Sequence, residues 1–239
     1  MRLDNAVMAA GLVSRNQLKK LIKSKQVTVD GHLIDKAGLI VDCHLQDIRL
    51  AGQKVETEQE VYYILNKPAG IVSACSDIKH RTVLEMLSPE DRKGGIYPIG
   101  RLDRDTEGLI LLSNNGPLGY RMLHLKHHVE KTYYVEVNDS LTSDAPDFFK
   151  KGVVFLDGTR CKPAKLDILS SHAGYSSARI TISEGKFHQI KKMFLAYGVK
   201  VTYLKRLSFG GFDLEDSLPP GAYRTLTQAE TEHLKTYFD

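Results

Sequence analysis

The sequence predicts an α+β protein: a mixed, largely antiparallel sheet forms the larger domain, and a small α/β unit precedes it. Three observations predict this class. Strand-like segments outnumber helical ones and do not alternate with helices as βαβ units do. The first 55 residues have the pattern of two helices followed by a hairpin. The length of 239 residues, with 42% hydrophobic and 26% charged residues, suits one or two globular domains.

In the N-terminal unit, apolar residues at helical spacing predict a first helix that Gly11 ends. Ser14 is a good N-cap for a second helix, which carries Arg15, Lys19, Lys20 and Lys23. Asp30-Gly31 is a two-residue turn that predicts a hairpin between residues 27–29 and 32–34. The polar segment 51–60 is typical of a linker, so we predict domains at 1–58 and 59–239.

Beyond residue 60 the hydrophobic pattern predicts mostly strands, with fewer helices between them. The predicted strands are 61–65, 109–112, 132–137, 152–156, 178–182 and 199–204. The predicted helices are 83–87, 118–125, 189–197 and 228–237.

The basic charge is concentrated in two segments. The whole chain has a net charge of only +4. Residues 1–25 contain six basic residues and one acidic residue, and residues 186–206 contain six basic residues and no acidic one. Such segments indicate a polyanionic partner, although a solvated helix face explains either one alone.

Several classes of protein are excluded or disfavoured. No apolar run approaches the roughly 20 residues of a membrane span, and residues 1–5 begin no long apolar region, so we expect no secretory signal. Cys43, Cys75 and Cys161 are far apart, which indicates neither a disulfide framework nor a zinc cage. His124, His127 and His128 lack a separated acid or cysteine at metal-ligand spacing. We therefore expect a cytoplasmic protein without membrane contact, metal or cofactor.

The densest candidate site is the loop between Gly100 and Gly108, which carries three carboxylates and two arginines and leads into an apolar strand. A carboxylate held at the end of a rigid strand can act as a nucleophile or base. A neighbouring arginine can keep it ionised or bind a phosphate. A charged surface loop with local ion pairs is the alternative explanation, and glycosidase chemistry on two of the acids is a weaker one.

The second candidate is the segment 183–194, where helical spacing places Ile190, Met193 and Phe194, with the following Tyr197, on one buried face. Lys191 and Lys192 project from other faces. Taken alone, these lysines are typical of a solvated helix face, and His188 is typical of a structural histidine.

Together these segments resemble the bacterial pseudouridine synthases of the RsuA type, which isomerise a uridine in ribosomal RNA. The N-terminal unit resembles the S4 RNA-binding domain through Arg2-Leu3-Asp4, Ser14-Arg15 and Val27-Thr28-Val29-Asp30-Gly31. The catalytic domain resembles the family in Leu65-Asn66-Lys67-Pro68-Ala69-Gly70, Gly100-Arg101-Leu102-Asp103, Thr106-Glu107-Gly108-Leu109, Glu130-Lys131-Thr132-Tyr133 and Glu184-Gly185-Lys186-Phe187-His188-Gln189-Ile190-Lys191-Lys192-Met193. The stretch from Arg206 to Thr227 also follows the family pattern.

The resemblance implies the pseudouridine synthase fold and a set of site residues. Asp103 matches the catalytic aspartate, Tyr133 the tyrosine that packs on the target base, and Lys191 the basic residue paired with the aspartate. Arg101 matches the arginine that enters the space vacated by the flipped nucleotide. The RNA-binding residues implied with it are Arg15, Lys19, Lys20, Lys67, Lys186, His188 and Gln189.

The resemblance further implies a monomeric enzyme acting on 16S rRNA or a small-subunit assembly intermediate, of the uridine-516 class. The compact C-terminal end without a basic tail favours this branch. A 23S rRNA synthase of the same family and a non-catalytic RNA-binding ribosome-assembly factor are the alternatives.

Overall fold

The computed structural model describes residues 1–57, 60–124 and 129–238, whose strands form two separate sheets. The predicted domain boundary between residues 58 and 59 lies outside the described residues. Within these ranges no helix is long and apolar enough to cross a membrane.

The N-terminal unit has two helices packed on a four-stranded sheet of order β2-β1-β3-β4. The predicted cap is confirmed: Ser14 and Gln17 form a reciprocal capping box at the start of the second helix. The predicted hairpin is confirmed as well, with Asp30 and Gly31 both at positive φ, as a type I′ turn requires. Its elements are α1 (Leu3–Ala9), α2 (Arg15–Lys23), β1 (Val27–Val29), β2 (His32–Leu33), β3 (Ile48–Leu50) and β4 (Gln53–Lys54).

The larger sheet has the strand order β13-β5-β7-β11-β8-β10-β9, with β6 paired to β7 and β12 to β11. Among the described residues, β7 and β11 form the one parallel pair. The prediction of a mixed, largely antiparallel sheet is therefore confirmed. Its strands are β5 (Tyr62–Lys67), β6 (Tyr97–Ile99), β7 (Glu107–Ser113), β8 (Lys131–Val137), β9 (Lys165–His172), β10 (Tyr175–Ile182), β11 (Val201–Phe209), β12 (Phe212–Asp213) and β13 (Tyr223–Thr225).

Helices cover both faces of this sheet, and for that reason the central strand β7 is apolar on both faces from Leu109 to Leu112. Along β7, Ile110 and Leu112 pack into one hydrophobic cluster, whereas Leu109 and Leu111 pack into the cluster on the opposite face. The first cluster includes side chains of α4 (Ala145–Lys150) and α5 (Gln189–Tyr197), and the second includes those of α3 (Gly116–Leu123) and α6 (Gln228–Lys235). A short 3₁₀ helix spans Val83–Met86.

The strand predictions need correction at residues 152–156 and at four strands that were not predicted, β6, β9, β12 and β13. Residues 152–156 do not join the sheet: they form a tight local hairpin around the Val154–Arg160 bridge, which turns at Asp157-Gly158. Strand β9 is an edge strand, and it was not predicted because five of its eight residues are polar and its apolar residue Leu169 is exposed.

Gly108 allows the close approach of the parallel strands β7 and β11. Its φ is +101°, and a Cβ atom there would lie 2.2 Å from the carbonyl oxygen of Arg206. Only glycine fits this position. It fixes where β7 begins and therefore where the acidic loop before it ends.

The N-terminal unit contacts the larger sheet through buried polar groups. Tyr62 on β5 donates a hydrogen bond to Asp42 at 2.7 Å, and Asn115 donates to Glu60 at 2.7 Å and to the Tyr62 hydroxyl at 2.9 Å. Burial raises the pKa of Glu60. These bonds tie the N-terminal unit to the strand that leads to the candidate site.

Candidate active site

A cavity of about 670 Å³ opens where the loop before β7, the start of β8 and the start of α5 meet. These three segments are separated in the chain, and sheet pairing brings them together. The cavity is lined by seven of the predicted site residues: Arg101, Asp103, Tyr133, Lys186, His188, Gln189 and Lys191.

The loop that carries Asp103 closes in a tight turn, in which the Thr106 amide donates to the Asp103 carbonyl oxygen at 3.1 Å. Lys67 lies fully buried behind this turn. Its ammonium group donates to the carbonyl oxygens of Thr106 at 2.7 Å, Pro68 at 3.0 Å and Arg104 at 3.2 Å. Burial lowers the pKa of Lys67 to about 8, against the opposing effect of nearby carboxylates.

The predicted RNA contact of Lys67 is therefore wrong. Its ammonium group donates three hydrogen bonds to backbone carbonyl oxygens, one at Pro68 and two in the loop that carries Asp103. None of the lysine's surface is exposed. The lysine acts inside the protein, where it holds the turn that positions Asp103.

We expect Lys67→Met to lower turnover by about 10²-fold, because a small displacement of a catalytic group has effects of that order. Between about pH 8 and 10 Lys67 should make a contribution to stability that rises with pH, since a lysine of the unfolded chain, which titrates near 10.5, binds more protons there than the folded Lys67 does. Lys67→Met should reduce this slope in thermal unfolding, and Lys200→Met, which removes an exposed lysine, should not. An unchanged slope would contradict the buried ammonium.

Lys191 lies between two carboxylates of the loop. Its Nζ atom is 3.3 Å from Asp103 Oδ2 and 2.7 Å from Asp105 Oδ1. Burial raises the pKa of Asp105, yet the hydrogen bonds and charge of Lys191 outweigh burial and hold this pKa below its ordinary value. Burial likewise lowers the pKa of Lys191, but the two carboxylates reverse the effect and raise it. The lysine therefore remains charged beside Asp103.

Tyr133 lies on β8 and is 7% exposed. It forms part of a wall of buried side chains around the carboxylates, which excludes water from that side of the cavity. The apolar members of this wall are Leu102, Ile182, Ile190 and Leu204.

On the opposite side the cavity opens to solvent. Arg101 is exposed at its edge, two residues before Asp103. His188 Nε2 is 3.6 Å from Asp103 Oδ1, and the His188 ring stacks on the exposed Phe187 ring. No role was predicted for Phe187 from the sequence. Its position between basic residues in a site motif could have indicated that it is a site residue.

The turn before α5 is fixed by a buried polar network. Gln189 is 4% exposed and donates to Glu184 at 2.9 Å, and its side-chain oxygen accepts from the Lys186 amide at 2.8 Å. The Lys186 ammonium pairs with Glu184. Both ends of the Gln189 amide are used inside the protein, and its RNA contact stays a prediction.

The chain matches the model of the RNA pseudouridylate synthase family over residues 61–196 and that of the S4 domain over residues 1–44. The first match covers more than half of the chain and includes the whole loop with Asp103, Tyr133 and Lys191. The chain belongs to the RNA pseudouridylate synthase family.

Curated relatives align over almost their whole length. An uncharacterized RNA pseudouridine synthase of Bacillus subtilis is 39% identical, with 96% of each chain covered. Ribosomal small subunit pseudouridine synthase A of Yersinia pestis is 38% identical, again with 96% of each chain covered. Ribosomal large subunit pseudouridine synthase B of B. subtilis is 35% identical over 100% of this chain and 97% of its own.

A crystal structure of a pseudouridylate synthase superimposes with a TM-score of 0.68 at 34% identity, covering 98% of this chain and 99% of the other. The fold is therefore the pseudouridine synthase fold, with an S4 domain at its N-terminus. The protein is an RNA pseudouridine synthase, an isomerase that acts on RNA.

Two cations of the synthase's cavity were not assigned from the sequence. Arg206 on β11 is 1% exposed and donates to the Leu109 carbonyl oxygen at 2.7 Å. Lys131 on β8 lies over the Phe209 ring, and burial, with the charge of Arg206, lowers its pKa to about 8. Both residues belong to the motifs that carry the family resemblance, and this position could have identified them as site residues.

The residues of the S4 domain predicted to bind RNA are exposed on helix α2. Arg15 donates to Asn5 at 3.2 Å, and Lys19 and Lys20 extend into solvent. Of the three clustered histidines, His124 lines the catalytic cavity, while His127 and His128 lie outside the described residues. Within the described ranges no three His, Cys, Asp or Glu side chains are placed to hold a metal ion.

Proposed function

We propose that this synthase isomerises a specific uridine of 16S rRNA, of the uridine-516 class, with Asp103 as its catalytic aspartate. The observation that carries the proposal is the convergence of Asp103, Tyr133 and Lys191 on one cavity from three distant segments. The small-subunit synthases among the relatives support the choice of RNA.

The reaction breaks the N1–C1′ bond of the uridine, rotates the uracil and forms a C5–C1′ bond. C5 then loses its proton and N1 gains one, so the product is an isomer of the substrate. The carboxylate of Asp103 either attacks C1′ or removes the C2′ proton to give a glycal. Both routes need an ionised carboxylate, and the Lys191 ammonium group lies 3.3 Å from Asp103 Oδ2 as its counter-charge. Tyr133 and the apolar wall hold the detached uracil and exclude water.

The target base must leave its stack before it reaches Asp103. Arg101 is exposed at the edge of the cavity, where it fills the vacated space and contacts phosphates. Lys186 binds the RNA backbone beside it. The S4 domain, residues 1–58, binds neighbouring RNA, and the catalytic domain, residues 59–239, acts as part of a monomer in the cytoplasm.

The assay that tests this proposal incubates the purified protein with 16S rRNA, 23S rRNA and small-subunit assembly intermediates, and maps pseudouridine in each. We expect one modified position in 16S rRNA. Product in 23S rRNA alone would replace the proposal with the large-subunit alternative, which the B. subtilis synthase B favours. Tight RNA binding without product on any substrate would favour the non-catalytic assembly factor.

The S4 domain gives a separate prediction. Replacing Arg15, Lys19 and Lys20 by alanine should weaken RNA binding and reduce its salt slope by roughly 0.7–0.9 for each lost phosphate contact. The chemical step on bound RNA should persist. The matched control replaces three exposed lysines elsewhere, Lys36, Lys54 and Lys151, by alanine. Equal salt slopes for the two triple variants would reject the assignment.

A further inference from the structure

Phe187 and His188 form an aromatic pair at the open side of the catalytic cavity. Their ring centroids are 3.8 Å apart and their planes are inclined by 20°. Phe187 is 71% exposed, although aromatic rings of this size are ordinarily buried in soluble proteins. Both residues line the cavity.

The pair is held in place rather than carried on a loose loop. Hydrogen bonds of 2.8–3.0 Å fix the turn that carries the two rings. The Lys186 amide donates to Gln189, the Gln189 side chain donates to Glu184, and the Lys162 amide donates to Glu184. His188 has a φ of +52°, in the left-handed region that costs free energy for a residue with a side chain. This backbone conformation presents the two rings together at the start of α5.

The surroundings of the pair are those of a site for a nucleotide. The Nζ atom of Lys192 lies 5.5 Å from the Phe187 ring centroid, close enough for a cation–π contact and for a phosphate attached to a stacked base. His188 Nε2 is 3.6 Å from Asp103, which places the pair directly beside the position of the reacting ribose. An exposed ring next to a cation is the combination that single-stranded RNA binding uses.

We propose that Phe187 and His188 form a stacking platform for the unpaired base next to the target uridine. The inference rests on the proposed function, since flipping the uridine leaves its neighbour without a stacking partner. The platform replaces that partner and holds the RNA strand open while Asp103 acts.

The experiment compares Phe187→Ala with Phe187→Tyr, which keeps the ring, and with Leu169→Ala, which removes an exposed apolar side chain outside the cavity. Phe187→Ala should raise the KM for rRNA about tenfold or more, within the range that one base–aromatic stack contributes. Its kcat at saturating RNA should stay near the wild-type value. Phe187→Tyr and Leu169→Ala should both behave as the wild type.

A binding measurement separates this inference from the proposed function. A single-stranded oligouridylate with one 2-aminopurine needs no turnover, and its fluorescence should be quenched by the wild type and not by Phe187→Ala. If the wild type modifies rRNA while Phe187→Ala keeps wild-type KM and quenching, the platform is overturned alone. If the wild type forms no pseudouridine but only Phe187→Ala loses quenching, the proposed function fails and the platform stands.

Discussion

Asp103→Asn should bind rRNA as the wild type does and form pseudouridine at least about 10³-fold more slowly, the scale on which loss of a base or nucleophile acts. The amide has nearly the shape of the carboxylate and can still face Lys191. It can neither attack C1′ nor accept a proton from C2′ as a carboxylate does. Single-turnover formation of pseudouridine, with enzyme in excess over RNA, measures the chemical step directly.

The matched control is Asp105→Asn, two residues along the same turn. Asp105 makes the shorter contact with Lys191, at 2.7 Å, but its side chain is largely exposed. When Asp105 is neutral, Lys191 can pair with Asp103 alone, so we expect this variant to keep most activity. Substantial product from Asp103→Asn, or equal losses in the two variants, would discard Asp103 as the catalytic residue.

Lys191→Met should lower kcat by about 10²-fold and change RNA binding little, in line with the loss of one electrostatic contact in an active site. The substitution leaves two neighbouring carboxylates without their shared cation. Lys191→Arg should recover part of the activity, because it restores the charge with a different geometry. Lys150→Met, which removes an exposed lysine at the end of α4, should have no effect.

The pH dependence gives this second prediction a further readout. In the wild type, Lys191 holds the pKa of Asp105 below its ordinary value. Without the lysine, the pKa of Asp105 should rise, because this carboxylate loses its paired cation. NMR titration of the Asp105 side chain in the wild type and in Lys191→Met measures the change. A wild-type kcat and an unshifted Asp105 pKa together would show that Lys191 does not support the reaction.

The sequence was most informative where local chemistry decides the structure. The N-cap at Ser14 and the turn at Asp30-Gly31 depend on neighbouring residues, and both were predicted correctly. The central strands β5 and β7 were recognisable because burial on both faces requires an unbroken apolar run. The edge strand β9 has no such requirement and its polar pattern concealed it.

The acidic loop and the basic segment before α5 were both identified as site candidates from sequence, and their meeting in one cavity followed only from the family resemblance. Sequence could not determine which basic residue faces the cavity and which serves the interior. Lys67 and Gln189 stand in site motifs like Lys191, yet both are buried in structural hydrogen bonds. Arg206 and Lys131 were passed over and lie in the cavity.

The sequence by itself determined the order of the motifs, the central strands, the caps and the loop that carries Asp103. Only the tertiary structure decided that Lys191 forms ion pairs with both Asp103 and Asp105. It also decided that the buried Lys67 donates a hydrogen bond to the backbone of the turn that carries Asp103. The physical reason is distance along the chain. Periodicity and turn chemistry act over a few residues, whereas Lys191 and Asp105 are 86 residues apart and meet only because sheet pairing places the turn opposite the start of α5.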